Sequence, residues 1–216
     1  MNREEKQRLD SLLFFENQVW EEGYRFVVGI DEVGRGPLAG PVVAASCFIP
    51  KGVFFEGLND SKKLTPKKRE KLFDSIVSQK GVAYGIGVID ESIIDDINIY
   101  QATLCAMKQA IDKMPIKPDY LLIDGLAFTD YPIASLKIIK GDAKSQSIAA
   151  ASVLAKVIRD EMMRKYHKQW PLYGFDKHKG YGTAKHLAAL AAYGPAPIHR
   201  KSFEPLKSKL SQNLSF

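Results

Sequence analysis

The chain has 216 residues, 45% of them hydrophobic and 26% charged, enough for one sizeable core. It has no internal repeat and no low-complexity run, which excludes solenoid, collagen-like and disordered classes. The net charge of +6 favours a polyanionic partner such as nucleic acid, although simple solubility would also account for it.

Residues 1–10 are charged and lack an apolar signal region. No stretch approaches the roughly 18 uninterrupted apolar residues of a membrane span, so a cytoplasmic protein without membrane attachment is expected. Cys47 and Cys105 lie far apart in apolar runs without the spacing of a zinc or redox pair, and both read as buried free thiols.

Leu9, Leu12, Leu13 and Val19 recur at near-helical spacing, so residues 1–24 read as a helical lead-in. Residues 25–30 predict a buried strand ending at Asp31 and Glu32, and residues 42–49 a second. The Gly- and Pro-rich link over 33–41 is short enough to make the two antiparallel neighbours. Thr65 followed by Pro66 is a helix start, an N-cap with proline at the first helical position, and Leu72, Phe73, Ile76 and Val77 supply its inward face. Residues 82–88 read as a third strand.

Ile93, Ile97, Tyr100, Leu104, Met107 and Ile111 then form the stripe of an amphipathic helix, with Pro115 and Pro118 at its exit. Residues 120–123 predict a short strand ending at Asp124 and Gly125, and residues 136–139 a fifth. Residues 148–163 predict a helix whose Ala149, Ala150, Ala151 and Ala155 would allow close approach to a sheet. The order implies an α/β fold with a mixed five-stranded sheet, antiparallel at one edge and parallel where helices intervene. One domain over 25–205, with additional C-terminal helices, would be followed by a flexible tail over 206–216.

Asp31, Glu32 and Asp124 fall at strand ends, and Asp142 lies between the fifth strand and the alanine-rich helix. Ligands of open α/β sheets bind outside the carboxyl ends of strands, so the four carboxylates could share one mouth. Such a cluster repels itself unless cations intervene, and hard oxygen ligands select Mg²⁺ or Mn²⁺, the composition of a two-metal phosphodiester site. Singly, Asp142 could merely cap a helix and Asp124 with Gly125 could merely turn. Asp31 and Glu32 are harder to dismiss: adjacent strand residues face opposite sides, so a plain sheet would bury one acid at a cost on the order of several kcal/mol. The string from Gly34 to Ala39 also matches a dinucleotide-binding loop, with Asp60 downstream. However, Pro37 and Pro41 obstruct the required helix, and the preceding acids would repel a pyrophosphate. The four histidines lack metal-ligand spacing.

Gly29, Ile30, Asp31, Glu32, Val33, Gly34, Arg35, Gly36, Pro37, Leu38, Ala39, Gly40 and Pro41 together resemble the signature of bacterial ribonuclease HII. The resemblance continues, in order, through Asp60, Ser61 and Lys62; Asp124 and Gly125; Gly141 and Asp142; residues 148–156 with Arg159 and Asp160; residues 178–183; and His199, Arg200, Ser202 and Phe203. It implies a ribonuclease H-like fold and an acidic metal set of Asp31, Glu32, Asp124 and Asp142, serving Mn²⁺ or Mg²⁺. Gly34, Arg35 and Gly36, with Tyr181, would recognise the 2′-hydroxyl where RNA meets DNA. Lys62, Lys144, Lys179 and Arg200 are candidate phosphate contacts. The short lead-in, Arg35 between the glycines, and Tyr181 favour type HII over the sister type HIII, which carries an extra N-terminal domain.

The expected substrates are RNA/DNA hybrids and duplex DNA containing ribonucleotides, as in ribonucleotide excision during replication and repair. One metal would activate water for in-line attack 5′ of a ribonucleotide and the other steady the leaving 3′-oxygen, giving 3′-hydroxyl and 5′-phosphate ends. The competing class is a non-catalytic nucleic-acid-binding module. A monomer is expected, and Gln212, Leu214 and Phe216 loosely resemble the peptides that dock on a bacterial sliding clamp, with Asn213 where an apolar residue belongs.

Overall fold

The apolar runs form one five-stranded sheet in the computed structural model, which describes residues 2–128 and 131–208. β1 (Val27–Val33), β2 (Val42–Phe48) and β3 (Ala83–Ile89) make an antiparallel meander. β4 (Tyr120–Asp124) and β5 (Ala134–Ile138) add in parallel on the other side of β1, giving the spatial order β3-β2-β1-β4-β5. The fold is therefore the expected α/β class. No helix separates β4 from β5 among the described residues, yet they are parallel. Their connection packs Leu126, Phe128 and Ile133 into the core on the way back.

The period of two decides which side chains meet which helix. Val43, Ala45 and Cys47 of β2 face α5 (Gln146–Gln169) and α3 (Pro66–Ser78), meeting Ala150, Val153, Leu154, Leu72 and Ile76. Val42 and Ala44, with Val28 and Ile30 of β1, face α4 (Glu91–Asp112) and pack on Ala102, Ala106 and Met107. Each fully buried Ile, Leu or Met in these layers contributes roughly 1.5–3 kcal/mol.

Both covering helices approach the sheet at glycines. A methyl group at Gly87 would lie 1.8 Å from the Ala106 carbonyl oxygen, and one at Gly29 would lie 2.1 Å from the Ser147 carbonyl carbon. This contact at Gly29 sets the start of α5 directly against β1.

Three expectations change. The lead-in is two helices, α1 (Arg3–Ser11) and α2 (Phe14–Glu21), broken at Leu12 and Leu13. α4 is kinked at Asn98, which takes a left-handed φ of 68°, while its Oδ1 accepts from the N–H groups of Tyr100 and Gln101. Because the helical phase resets there, Ile94 is buried in place of Ile93, and Ile97 and Tyr100 are exposed. Cys47 is buried as expected, but Cys105 on α4 is exposed. The C-terminal part adds α6 (Phe175–His178) and α7 (Ala184–Tyr193), and no described helix is long and apolar enough to cross a membrane.

Candidate active site

The parallel pairing of β1 with β4 ends at Ile30 and Ile123, whereas β1 continues along β2 as far as Val33. β1 and β4 therefore part company at Asp31 and Asp124. Asp31 and Glu32 lie within β1 rather than past its end, a shift from the expected boundary. The Gly141 N–H donates to Asp124 Oδ1 at 2.6 Å, which draws the tight turn Gly141–Ala143 onto the end of β4 and carries Asp142 inward. One carboxylate oxygen each from Asp31, Asp124 and Asp142 lies within 4.8 Å of the other two. The capping alternative for Asp142 does not hold: Ser145 caps α5, its Oγ accepting from the Ile148 N–H.

This clustering is electrostatically costly in the absence of cations. Burial, then the neighbouring charges of Glu32 and Asp124, hold the Asp31 carboxyl well above its usual range. Burial, reinforced by Asp60 and Asp124, raises Asp142 to about 6, against the opposing pull of Lys62. Three hard oxygen donors that repel one another fit a divalent cation, whose charge would relieve both effects.

Glu32 takes the opposite side of β1, with its carboxylate 3.6 Å from Arg35 and outside the three-carboxylate group. Burial raises its pKa and Arg35 opposes the rise.

Behind the acids, the loop containing Asp60, Ser61 and Lys62 is tied to α5 and α3. The Ser61 and Ser152 hydroxyls are 2.7 Å apart, and Arg69 donates to the carbonyls of Ser61 and Leu64. Asp160 holds Lys156 at 2.6 Å and Arg69 at 3.6 Å. This places the exposed Lys62 ammonium 3.9 Å from Asp142. Burial works against its charge, but Asp31, Asp142, Asp60 and Asp124 outweigh that and raise its pKa.

The loop that follows β1 lies alongside residues 178–182 and 196–200. Leu38 N–H donates to Gly180, Gly40 N–H to Ile198, and Arg200 N–H to Leu38. Tyr181 is 44% exposed, and a methyl group on Gly36 would lie 3.7 Å from its ring, so the ring stands over an otherwise open Gly36.

Of the basic candidates, Lys62 and Lys144 are exposed, Lys62 beside Asp142. Lys179 is half-buried, and its ammonium turns back to the Asp176 carbonyl. Arg200 requires correction as a direct phosphate contact: it is fully buried, and its guanidinium donates to the carbonyls of Gly34, Arg35 and Gly40. Arg159, given no separate role from the sequence, is its buried counterpart. Its signal was available: it falls one turn after Ala155 and two turns after Ser152, on the inward face of α5.

A family model described as Ribonuclease HII matches residues 28–206, from within β1 to beyond α7. The chain belongs to the ribonuclease HII family. A ribonuclease HII from Chlamydia caviae is 56% identical over 204 residues, covering 94% of this chain and 96% of the relative. The crystal structure of ribonuclease H2 from Pyrococcus horikoshii superposes with a TM-score of 0.73 at 26% identity, covering 88% of this chain and 99% of that one. A Bst ribonuclease HIII in complex with Mn²⁺ shares the fold, with a TM-score of 0.66 at 19% identity, and is covered over 71% of its own length against 89% of this chain. The ribonuclease HII assignment makes the chain a metal-dependent endoribonuclease of the ribonuclease H type.

Proposed function

We propose that this protein cuts the RNA strand of RNA/DNA hybrids and cuts duplex DNA on the 5′ side of an embedded ribonucleotide. One observation carries this reading: three mutually repelling carboxylates, Asp31, Asp124 and Asp142, lie beside a glycine loop capped by an exposed tyrosine. The first group handles the phosphate and the second can read a ribose. Asp31, Asp124 and Asp142 would hold Mn²⁺ or Mg²⁺, with Glu32 completing the set. When bound, the cations would activate the attacking water and neutralise charge on the leaving oxygen.

The remaining work belongs to the chain. Gly34, Arg35 and Gly36 offer bare backbone to the minor groove, where a 2′-hydroxyl distinguishes RNA from DNA. Tyr181 packs against the sugar at the junction and orients it. Lys62 and Lys144 attract the phosphates flanking the cut. Water adds to phosphorus, the bond from phosphorus to the 3′-oxygen breaks, and that oxygen leaves as a 3′-hydroxyl. The ribonucleotide keeps a 5′-phosphate.

The Mn²⁺ seen with the Bst ribonuclease HIII supports the choice of a divalent ion. Residues 212–216, proposed to dock on a sliding clamp, lie outside the described residues.

The test is to incubate a duplex carrying one ribonucleotide, and the same duplex in all-DNA form, with the protein and Mn²⁺ or Mg²⁺. A single cut 5′ of the ribonucleotide, and none in the DNA control, is expected. Cutting of both duplexes alike would refute the reading.

A further inference from the structure

Arg159 and Arg200 are both fully buried, and neither lies within ion-pair distance of a carboxylate among the described residues. A buried charge without a counter-charge persists only where hydrogen bonds replace its hydration. Here the donors are spent on backbone carbonyls, all but one of them in the loop that follows β1. Arg200 donates to Gly34, Arg35 and Gly40 at 2.5–3.0 Å. Arg159 donates to Pro41 at 2.9 Å, Ala39 at 3.2 Å and Lys179 at 3.0 Å. Gly34, with a φ of 97°, is the glycine this arrangement demands, since a methyl group there would lie 2.2 Å from Arg159 Nε.

The consequence lies in peptide geometry. Across a trans peptide, the carbonyl and the following N–H point to opposite sides of the chain. With the carbonyls of Gly34 and Arg35 held down on the Arg200 guanidinium, the N–H groups of Arg35 and Gly36 face away from it. Neither N–H has an acceptor among the described residues. They are left as donors at the loop surface, where Tyr181 stands over Gly36. The two guanidinium groups lie on the carbonyl side, and successive N–H groups that point the same way can bind an anion or an oxygen.

We propose that Arg200, braced by Arg159, is a positioning residue for substrate recognition: it fixes the two peptide planes that present the Arg35 and Gly36 N–H groups to the ribose 2′-hydroxyl. A lysine cannot replace it, because a single ammonium cannot span three carbonyls as a planar fork does. The inference rests on the reading of residues 34–36 as the ribose-sensing loop.

The experiment uses the full chain with Arg200→Ala and Arg200→Lys. Binding to the single-ribonucleotide duplex and to its all-DNA counterpart is measured with EDTA present, so that nothing is cut. Cleavage is then measured with Mn²⁺, with and without added guanidinium or methylguanidinium ion. Both variants are expected to lose the preference for the ribonucleotide duplex, to bind Mn²⁺ as the parent does, and to cleave roughly a hundredfold more slowly, as a misplacement near 1 Å can cause. Guanidinium should restore a substantial part of the activity of Arg200→Ala, and ammonium at matched ionic strength should not.

A folded variant that keeps the parent's ribonucleotide preference would overturn the proposal, as would failure of both variants to fold, since the role would then be structural. A parent chain that itself shows no preference would instead overturn the reading of the loop.

Discussion

Gly29 on β1 and Ser147 at the start of α5 meet backbone to backbone, so that a methyl group at Gly29 would lie 2.1 Å from the Ser147 carbonyl carbon and 2.2 Å from the Ile148 nitrogen. Neither neighbour is a flexible side-chain end, so the contact cannot relax locally. Gly29→Ala is expected to destabilise the fold by on the order of 3 kcal/mol, read from urea unfolding. Because Asp31 follows two residues later on the same face, and Asp142 shortly precedes α5, the same substitution should weaken Mn²⁺ binding. A loss under about 1 kcal/mol with unchanged metal affinity would show that the helix can retreat freely.

The carboxylate cluster predicts an unusual pH dependence in metal-free protein. Asp142 titrates at about 6 in the fold against a usual 3.8, so between these values the folded chain holds a proton that the unfolded chain has released. Stability from this group is therefore present near pH 4 and is lost as pH rises through about 6. Asp142→Asn should raise the melting temperature in EDTA at pH about 8 and leave it nearly unchanged near pH 4. An equal shift at both pH values would mean that the burial and crowding of an ionised Asp142 are not the source of the change.

Tyr181 separates recognition from metal binding. Its ring stands over Gly36, and it does not belong to the carboxylate group. Tyr181→Ala should cut single-ribonucleotide duplexes far less well, with a smaller loss on long hybrids and an unchanged Mn²⁺ isotherm. A weakened isotherm would assign the residue to the metal site instead.

Deleting residues 212–216 should abolish binding to a bacterial sliding clamp and leave cleavage of a free oligonucleotide duplex unchanged. A micromolar-order affinity, about −8 kcal/mol, is the expected scale for so few apolar anchors. Clamp binding that survives the deletion would place the contact elsewhere.

Much of this was legible in the sequence, for local reasons. The Thr65 and Pro66 start signal lies within α3's own first turn, and the alternation in β2 assigns its two faces directly. The sequence groups Asp31, Glu32, Asp124 and Asp142 because ligands bind where strand ends converge in an α/β sheet, and Glu32 is the one that lies outside the three-carboxylate group. What escaped was either conformational or remote in sequence. An apolar stripe does not reveal that Asn98 adopts a left-handed φ and resets the phase of α4. Arg200 looked like a surface cation because its acceptors are carbonyls about 160 residues earlier, and nothing near it in sequence signals its burial. The turn that carries Asp142 inward is tied to β4 by the bond from the Gly141 N–H to Asp124, which no periodicity encodes.

Asp31, Asp124 and Asp142 are proposed to form a metal-binding phosphodiester site. Asp124→Asn probes that role, because it keeps the side chain's shape and removes one ligand charge. The measurement pairs Mn²⁺ calorimetry with cleavage of a single-ribonucleotide duplex, using parent and variant chains that bind the uncut duplex equally in EDTA. The variant is expected to lose both high-affinity metal binding and cutting, with a metal-free melting temperature level with the parent's or higher. Cutting at the parent rate by a folded Asp124→Asn chain would contradict that role.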